Sequence, residues 1–216
     1  MARPAKAFLP PARSLDATII PWGKGQQLHR IHDARHAGNS FNPNRKGSAW
    51  FSPIFDPGGK TIPTLYAGTT LDCALMETIF HDVPFAPGFK PLSRSTLAGK
   101  VHTTFSLIRD LKLIDLSTVA LRKLGVDRSH LIGTTKAHYR ETRHWAERFY
   151  AQFEIAQGLR WTSRQDDRAQ AVVFFGTRVK PSDLVVARPP ARILVDDLAV
   201  APVLDLAIRL GVVLVD

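Results

Sequence analysis

Apolar positions along the chain switch several times between a period of two and a period near 3.6, a pattern of strands interleaved with helices. Residues 27–31, Gln-Leu-His-Arg-Ile, alternate as a short strand with His29 and Ile31 on one face and Leu28 and Arg30 on the other. Residues 64–68 form a second short strand that runs directly into a helix, with Thr69 as N-cap and Asp72 three residues on. Leu71, Ala74, Leu75, Thr78 and Ile79 keep helical spacing, Cys73, Glu77, Phe80 and His81 form the adjoining stripe, and Pro84 and Pro87 end the helix.

Further strands are predicted over 101–107 and 111–116. Two helices follow, a short one over 117–124 closed by Gly125 and another over 142–152 burying Trp145, Ala146, Phe149 and Tyr150. Residues 158–163, with Ser163 at or just beyond a strand end, lead to a β-branched, aromatic run over 170–176 that reads as a buried strand. Residues 192–195 are a last strand, and 203–210 a helix with Pro202 at its start. Between them, residues 37–60 are rich in Gly and Pro around Trp50, Phe51 and Phe55, which reads as a long loop with a strand-like centre. Residues 1–24, with Pro4, Pro10 and Pro11, are expected to be a loose N-terminal arm, and residues 25–216 a single α+β domain without repeats or an internal linker.

Composition narrows the class. At 216 residues and 44% hydrophobic content the chain can bury a core, and no apolar run approaches membrane-spanning length. The start of the chain lacks a continuous apolar stretch of the secretory kind, so the expected compartment is the cytoplasm. The one cysteine, Cys73, excludes an internal disulfide and a cysteine-rich zinc site, and on an apolar helix it reads as packed and inert. The net charge of +10 is concentrated in residues 1–50 and 111–168. That suits an acidic protein, a phosphate-rich small molecule or nucleic acid, but the nucleic-acid reading finds no zinc finger, RNP-type motif or helix-turn-helix. The eight histidines form no His-Glu-x-x-His pair and are expected at the surface, so no metal is implied. Gly23-Lys24-Gly25 and Gly58-Gly59-Lys60 lack the spacing of phosphate loops and read as turns.

Several separated segments, in order, resemble the RES-domain family, toxins of bacterial type II toxin–antitoxin pairs named for an Arg, a Glu and a Ser. Leu28-His29-Arg30-Ile31 is similar to the family's opening arginine motif, and Pro63-Thr64-Leu65-Tyr66-Ala67 to its Leu-Tyr strand. Ala74-Leu75-Met76-Glu77-Thr78 resembles the glutamate helix, followed by the Phe80-His81-Asp82-Val83 tail of one subgroup. Gly158-Leu159-Arg160-Trp161-Thr162-Ser163-Arg164 resembles the serine motif, and Val172-Val173-Phe174-Phe175-Gly176 the strand after it. The chain departs from the family where many members carry Gly-Arg-Phe or Gly-Arg-Trp, reading Ser48-Ala49-Trp50-Phe51 instead; Arg45 and Lys46 are the nearest replacements for the absent arginine.

The resemblance implies a fold like that of ADP-ribosyltransferase toxins, with β-sheets forming a cleft for NAD+, which is the substrate, and no metal. It implies Glu77, Arg30 and Ser163 as catalytic residues and Arg30, Tyr66 and Ser163 as binding residues. Glu77 would hold the ribose hydroxyls and face the positive charge that develops as nicotinamide leaves; Arg30 would fork onto the pyrophosphate. Tyr66 would offer a ring to nicotinamide, and Ser163 would bond the ribose or orient Arg30. A helix-turn-helix antitoxin covering the cleft is the implied partner. Water, phosphate or a protein side chain could accept the ribose, the last making the chain a protein ADP-ribosyltransferase. Taken singly, each residue also has an ordinary role: Glu77 in an i,i+4 pair with His81, Arg30 as a solvated strand residue, Tyr66 as a half-buried strand residue, Ser163 as a turn former. On that reading the chain is a basic binding module.

Overall fold

Alternation of the kind seen in residues 27–31 and 64–68 builds most of the protein into one sheet. A computed structural model describes residues 9–216. In chain order the strands are β1 (Ile19–Trp22), β2 (Gln27–Asp33), β3 (Ile54–Phe55), β4 (Thr61–Ile62), β5 (Thr64–Gly68), β6 (Lys90–Ser93), β7 (Lys100–Leu107), β8 (Leu111–Asp115), β9 (Gly158–Thr162), β10 (Gln170–Phe175), β11 (Leu184–Val186), β12 (Ala191–Arg192) and β13 (Val212–Val215). The helices are α1 (Leu71–Met76), α2 (Thr118–Lys123), α3 (Arg128–Leu131), α4 (Tyr139–Gln152) and α5 (Asp197–Leu210). The class is α+β, with a mixed sheet of nine strands ordered β1-β8-β9-β10-β5-β2-β7-β11, and β12 added beside β7. All ladders of this sheet are antiparallel except β8–β9.

Period-two alternation sends side chains to two cores. Leu65, Ala67, Val172, Phe174, Leu28 and Phe105 pack on one face. Ala171, Val173, Phe175, Leu159 and Trp161 pack on the other, under Trp145, Ala146 and Phe149 of α4. Burying each such large side chain contributes roughly 1.5–3 kcal/mol before conformational entropy is set against it. A third cluster joins α1 and α5 through Leu75, Ile79, Val203 and Leu206.

Several expectations are corrected here. Ile19–Trp22 is a strand paired with β8 and Leu15 is buried, so residues 15–22 belong to the domain and not to a loose arm; residues 1–8 of that arm lie outside the described residues. The first helix takes Thr70, not Thr69, as N-cap and ends at Met76. The last helix begins at Asp197 and carries Pro202 inside it, and the strand expected over 192–195 is only the two-residue β12.

Candidate active site

The site exists because the sheet splits. β2 and β5 are neighbours, yet they pair at a single position, His29 with Gly68, and then part. Direct pairing puts His29, Ile31 and Tyr66 on one face, so alternation assigns Arg30 to the other. Arg30 nonetheless lines the same cavity as Tyr66, in the gap between the diverging strands. The cavity is about 420 Å³, and its wall includes Arg30, Tyr66, Glu77, His81, Tyr139 and Trp161.

Gly68 brings the first helix close to the sheet. A Cβ there would come within 2.9 Å of Cys73 Sγ and 3.1 Å of the Ala74 nitrogen, so only glycine lets α1 start immediately above the strand. Thr70 caps the helix by accepting from the Cys73 amide at 3.0 Å. The helix then tightens: the amides of Thr78, Ile79 and Phe80 all reach the Leu75 carbonyl. That turn sets Glu77, the C-cap residue, into the cavity.

Glu77 is half-buried, and burial pushes its carboxyl up. Ser163 opposes this most, with His81 and Arg164 assisting. The Ser163 hydroxyl donates to Glu77 Oε1 at 2.6 Å, the length of a hydrogen bond to an ionised oxygen. Ser163 is wholly buried and its Oγ also accepts from the amides of Gln165 and Asp166, each at 3.0 Å. This corrects the expectation for Ser163, which holds Glu77 from behind rather than lining the cavity or orienting Arg30.

Arg30 Nη1 donates to the carbonyls of Gly38 (2.8 Å) and Ser40 (2.7 Å). Gly38 is bound to be glycine, since a Cβ there would lie 2.3 Å from Thr103 Cγ2. Among the described residues no carboxylate ion-pairs with Arg30, and Nε and Nη2 have no acceptor. Burial without an anion drops its guanidinium to about 10, which leaves it a cation at neutral pH. A half-buried, unneutralised fork of this kind suits a phosphate oxygen.

Tyr66 packs edge-on against Trp161 at 6.4 Å, and its hydroxyl accepts from the Phe51 amide at 2.8 Å. It thereby ties the 48–52 loop over the cavity. Trp50 pins the same loop: its indole donates to the Leu131 carbonyl at 2.8 Å, its carbonyl accepts from Thr142, and the Arg164 guanidinium lies 5.2 Å above its ring.

Neither suggested replacement for the missing arginine lines this cavity. Arg45 lies over the Phe55 ring at 5.5 Å, and with Lys46 it lines a separate cavity beside α4. The additional cation at the cleft is Lys136, 2.5 Å from Asp82. The sequence alone gives Lys136, Tyr139 and Trp161 no site role; it places Asp82 in a motif tail and His81 in that tail and four residues after Glu77. The histidines also depart from expectation, because three are drawn into the sheet. His29 and His102 stack at 5.2 Å with a 3.0 Å contact between ring nitrogens, and buried His32 meets Thr103 Oγ1 at 2.8 Å.

No group of three or more His, Cys, Asp or Glu suited to a metal occurs among the described residues, nor does a helix long and apolar enough to cross a membrane. The chain matches no curated protein. Residues 27–196 match the family model described as RES domain, a family associated with NAD use and consistent with the role of a toxin in a toxin–antitoxin pair. The match spans most of the chain and includes Arg30, Tyr66, Glu77 and Ser163: the protein belongs to the RES domain family.

Proposed function

We propose that the protein is the toxin of a type II toxin–antitoxin pair, and that it acts in the cytoplasm by cleaving NAD+ at the nicotinamide–ribose bond, by hydrolysis or phosphorolysis. One observation carries the reading: an unneutralised arginine fork and a serine-held carboxylate line one cavity, in the gap of a split sheet. Nicotinamide leaves a cationic nucleotide as a neutral ring, so the reaction needs an anion facing the ribose more than it needs acid catalysis. Glu77 supplies that anion, and its attraction grows as the ribose becomes an oxocarbenium. Arg30 holds the pyrophosphate equally in ground and transition states, and Tyr66 flanks the nicotinamide. Because such an enzyme would drain its own cell, a neutralising helix-turn-helix protein that covers the cleft belongs to the proposal. The basic blocks of residues 1–50 and 111–168 favour an acidic docking face on it.

The test is nicotinamide release from NAD+ by the purified chain, with and without phosphate, and with a cell lysate as a source of protein acceptors. Release is expected, as is growth arrest on expressing the chain alone. Label appearing on a lysate protein would move the reaction to protein ADP-ribosylation. No release and no label under any condition would leave a basic binding module, for which salt-dependent binding to nucleic acid is the check.

A further inference from the structure

We propose that His81 is the general base of the reaction, taking the proton of an incoming water or other hydroxyl as it attacks the ribose. The inference rests on the NAD+ reading above and says which kind of acceptor the site is built for.

The His81 side chain is only 16% exposed and is oriented on both sides. Its Nδ1 lies 3.0 Å from Asp82 Oδ1, which fixes the proton on Nδ1 and leaves the lone pair on Nε2. Nε2 lies 3.5 Å from the Tyr139 hydroxyl, at the outer limit of hydrogen bonding. The backbone is held too, the His81 carbonyl accepting from Gln165 Nε2 at 3.0 Å. Gln165 follows the turn that Ser163 caps, so one short segment sets both Glu77 and His81. His81, Asp82, Tyr139, Lys136 and Glu77 all line the one cavity.

The surrounding charges suit a proton acceptor. Lys136 and His81 keep Asp82 below the usual carboxylate range, so it stays an anion able to stabilise an imidazolium. Glu77 is close enough for the positive charge of a protonated His81 to favour its carboxylate. Burial pushes Tyr139 up, which keeps its phenol protonated and removes it as a competing base.

The step balances without a further reagent. The bond between the nicotinamide nitrogen and the anomeric carbon breaks with its electron pair going to the ring, which becomes neutral. The acceptor oxygen bonds to the anomeric carbon, its proton passes to His81 Nε2, and the imidazolium returns that proton to solvent. A phosphate dianion brings its own negative charge and needs no such base. An oriented imidazole at this wall is therefore the mark of a neutral, protic acceptor.

Single-turnover cleavage of NAD+ by the full chain tests this with His81→Gln, with His81→Asn as a second variant should the first not fold. Product analysis and NAD+ calorimetry accompany the rates. Hydrolysis is expected to fall by about 10²-fold or more, with NAD+ affinity unchanged. Azide, an anionic nucleophile with no proton to lose, is expected to restore turnover and yield the ADP-ribosyl azide. Wild-type hydrolysis in a folded variant overturns the assignment, as does failure of azide to rescue a variant that still binds NAD+. A wild-type enzyme that transfers only to phosphate overturns it as well, while leaving NAD+ cleavage intact. A wild-type chain that releases nicotinamide to no acceptor sinks the NAD+ reading itself.

Discussion

Replacing Glu77 by Gln removes one charge and little else. The amide keeps the volume of the carboxyl, and its carbonyl can still accept the Ser163 hydroxyl that now lies 2.6 Å from Oε1. For a unit charge 4–5 Å from a developing cation at an effective dielectric near 20, Coulomb's law gives about 3–4 kcal/mol. Losing one preorganised electrostatic group typically slows turnover about 10²–10³-fold, or about 2.7–4 kcal/mol, so the two estimates agree. Stability should move the other way. Burial raises the Glu77 carboxyl, so between its unfolded and folded values the native state binds more protons than the unfolded chain, and stability falls as pH rises through that window. Glu77→Gln removes the penalty. The variant should melt no lower than wild type at pH 7, and its stability should lose that part of the pH dependence. The assay is single-turnover nicotinamide release beside thermal melts from pH 4 to 8. Wild-type turnover in the folded variant would refute the electrostatic role, and a melt several degrees lower at pH 7 would make Glu77 a structural residue instead.

Arg30→Ala should weaken NAD+ binding by about 10- to 100-fold in calorimetry, the scale of one charge-assisted hydrogen bond, with a smaller loss in single-turnover rate; an unchanged affinity would remove Arg30 from the pyrophosphate. Ser163→Ala deletes the donor that opposes the upward push on Glu77, so the acidic limb of the pH–rate profile should move to higher pH. A shift to lower pH, or none, would contradict that geometry. His102 is lowered to about 4 by burial and by the neighbouring His29 and Arg188 charges. The folded state therefore resists taking a proton that the unfolded chain accepts, and stability should fall as pH drops from about 6.5 to about 4. His102→Gln should flatten that slope in denaturant titrations.

The central strands could be read from the chain because their signal is local. Residues 64–68 and 170–175 are short, β-branched or aromatic, and buried on both faces, and the structure pairs them directly. The first helix is shorter than its spacing predicts because its stop is not a proline. Three amides converge on the Leu75 carbonyl, and the run Glu77-Thr78-Ile79 keeps helical spacing while it turns. β1 lies within the stretch that reads as an arm because the start of the chain is rich in Pro and keeps no sustained period, yet an edge strand paired only with β8 tolerates Pro21, a residue with no amide proton. Motif resemblance singles out Arg30, Glu77 and Tyr66, and the structure brings them to one cavity. The true partner of Ser163 was out of reach, since Glu77 lies 86 residues away and no periodicity links the two. The same holds for His29 and His102, which are 73 residues apart and look like unrelated surface histidines until β2 and β7 pair.

Cys73 turns the close packing of α1 into something measurable. It is the chain's one thiol, it sits wholly buried on α1, the helix that Glu77 caps at its C-terminal end, and burial pushes it up to about 12. A thiol reagent can reach it only when α1 lifts from Gly68 and the sheet. The labelling rate of the unmodified protein is thus an intrinsic clock for the opening of the segment that carries the carboxylate, with no engineered probe. A compound that lodges in the cleft and rests against Glu77 slows that clock, whether or not it is ever turned over.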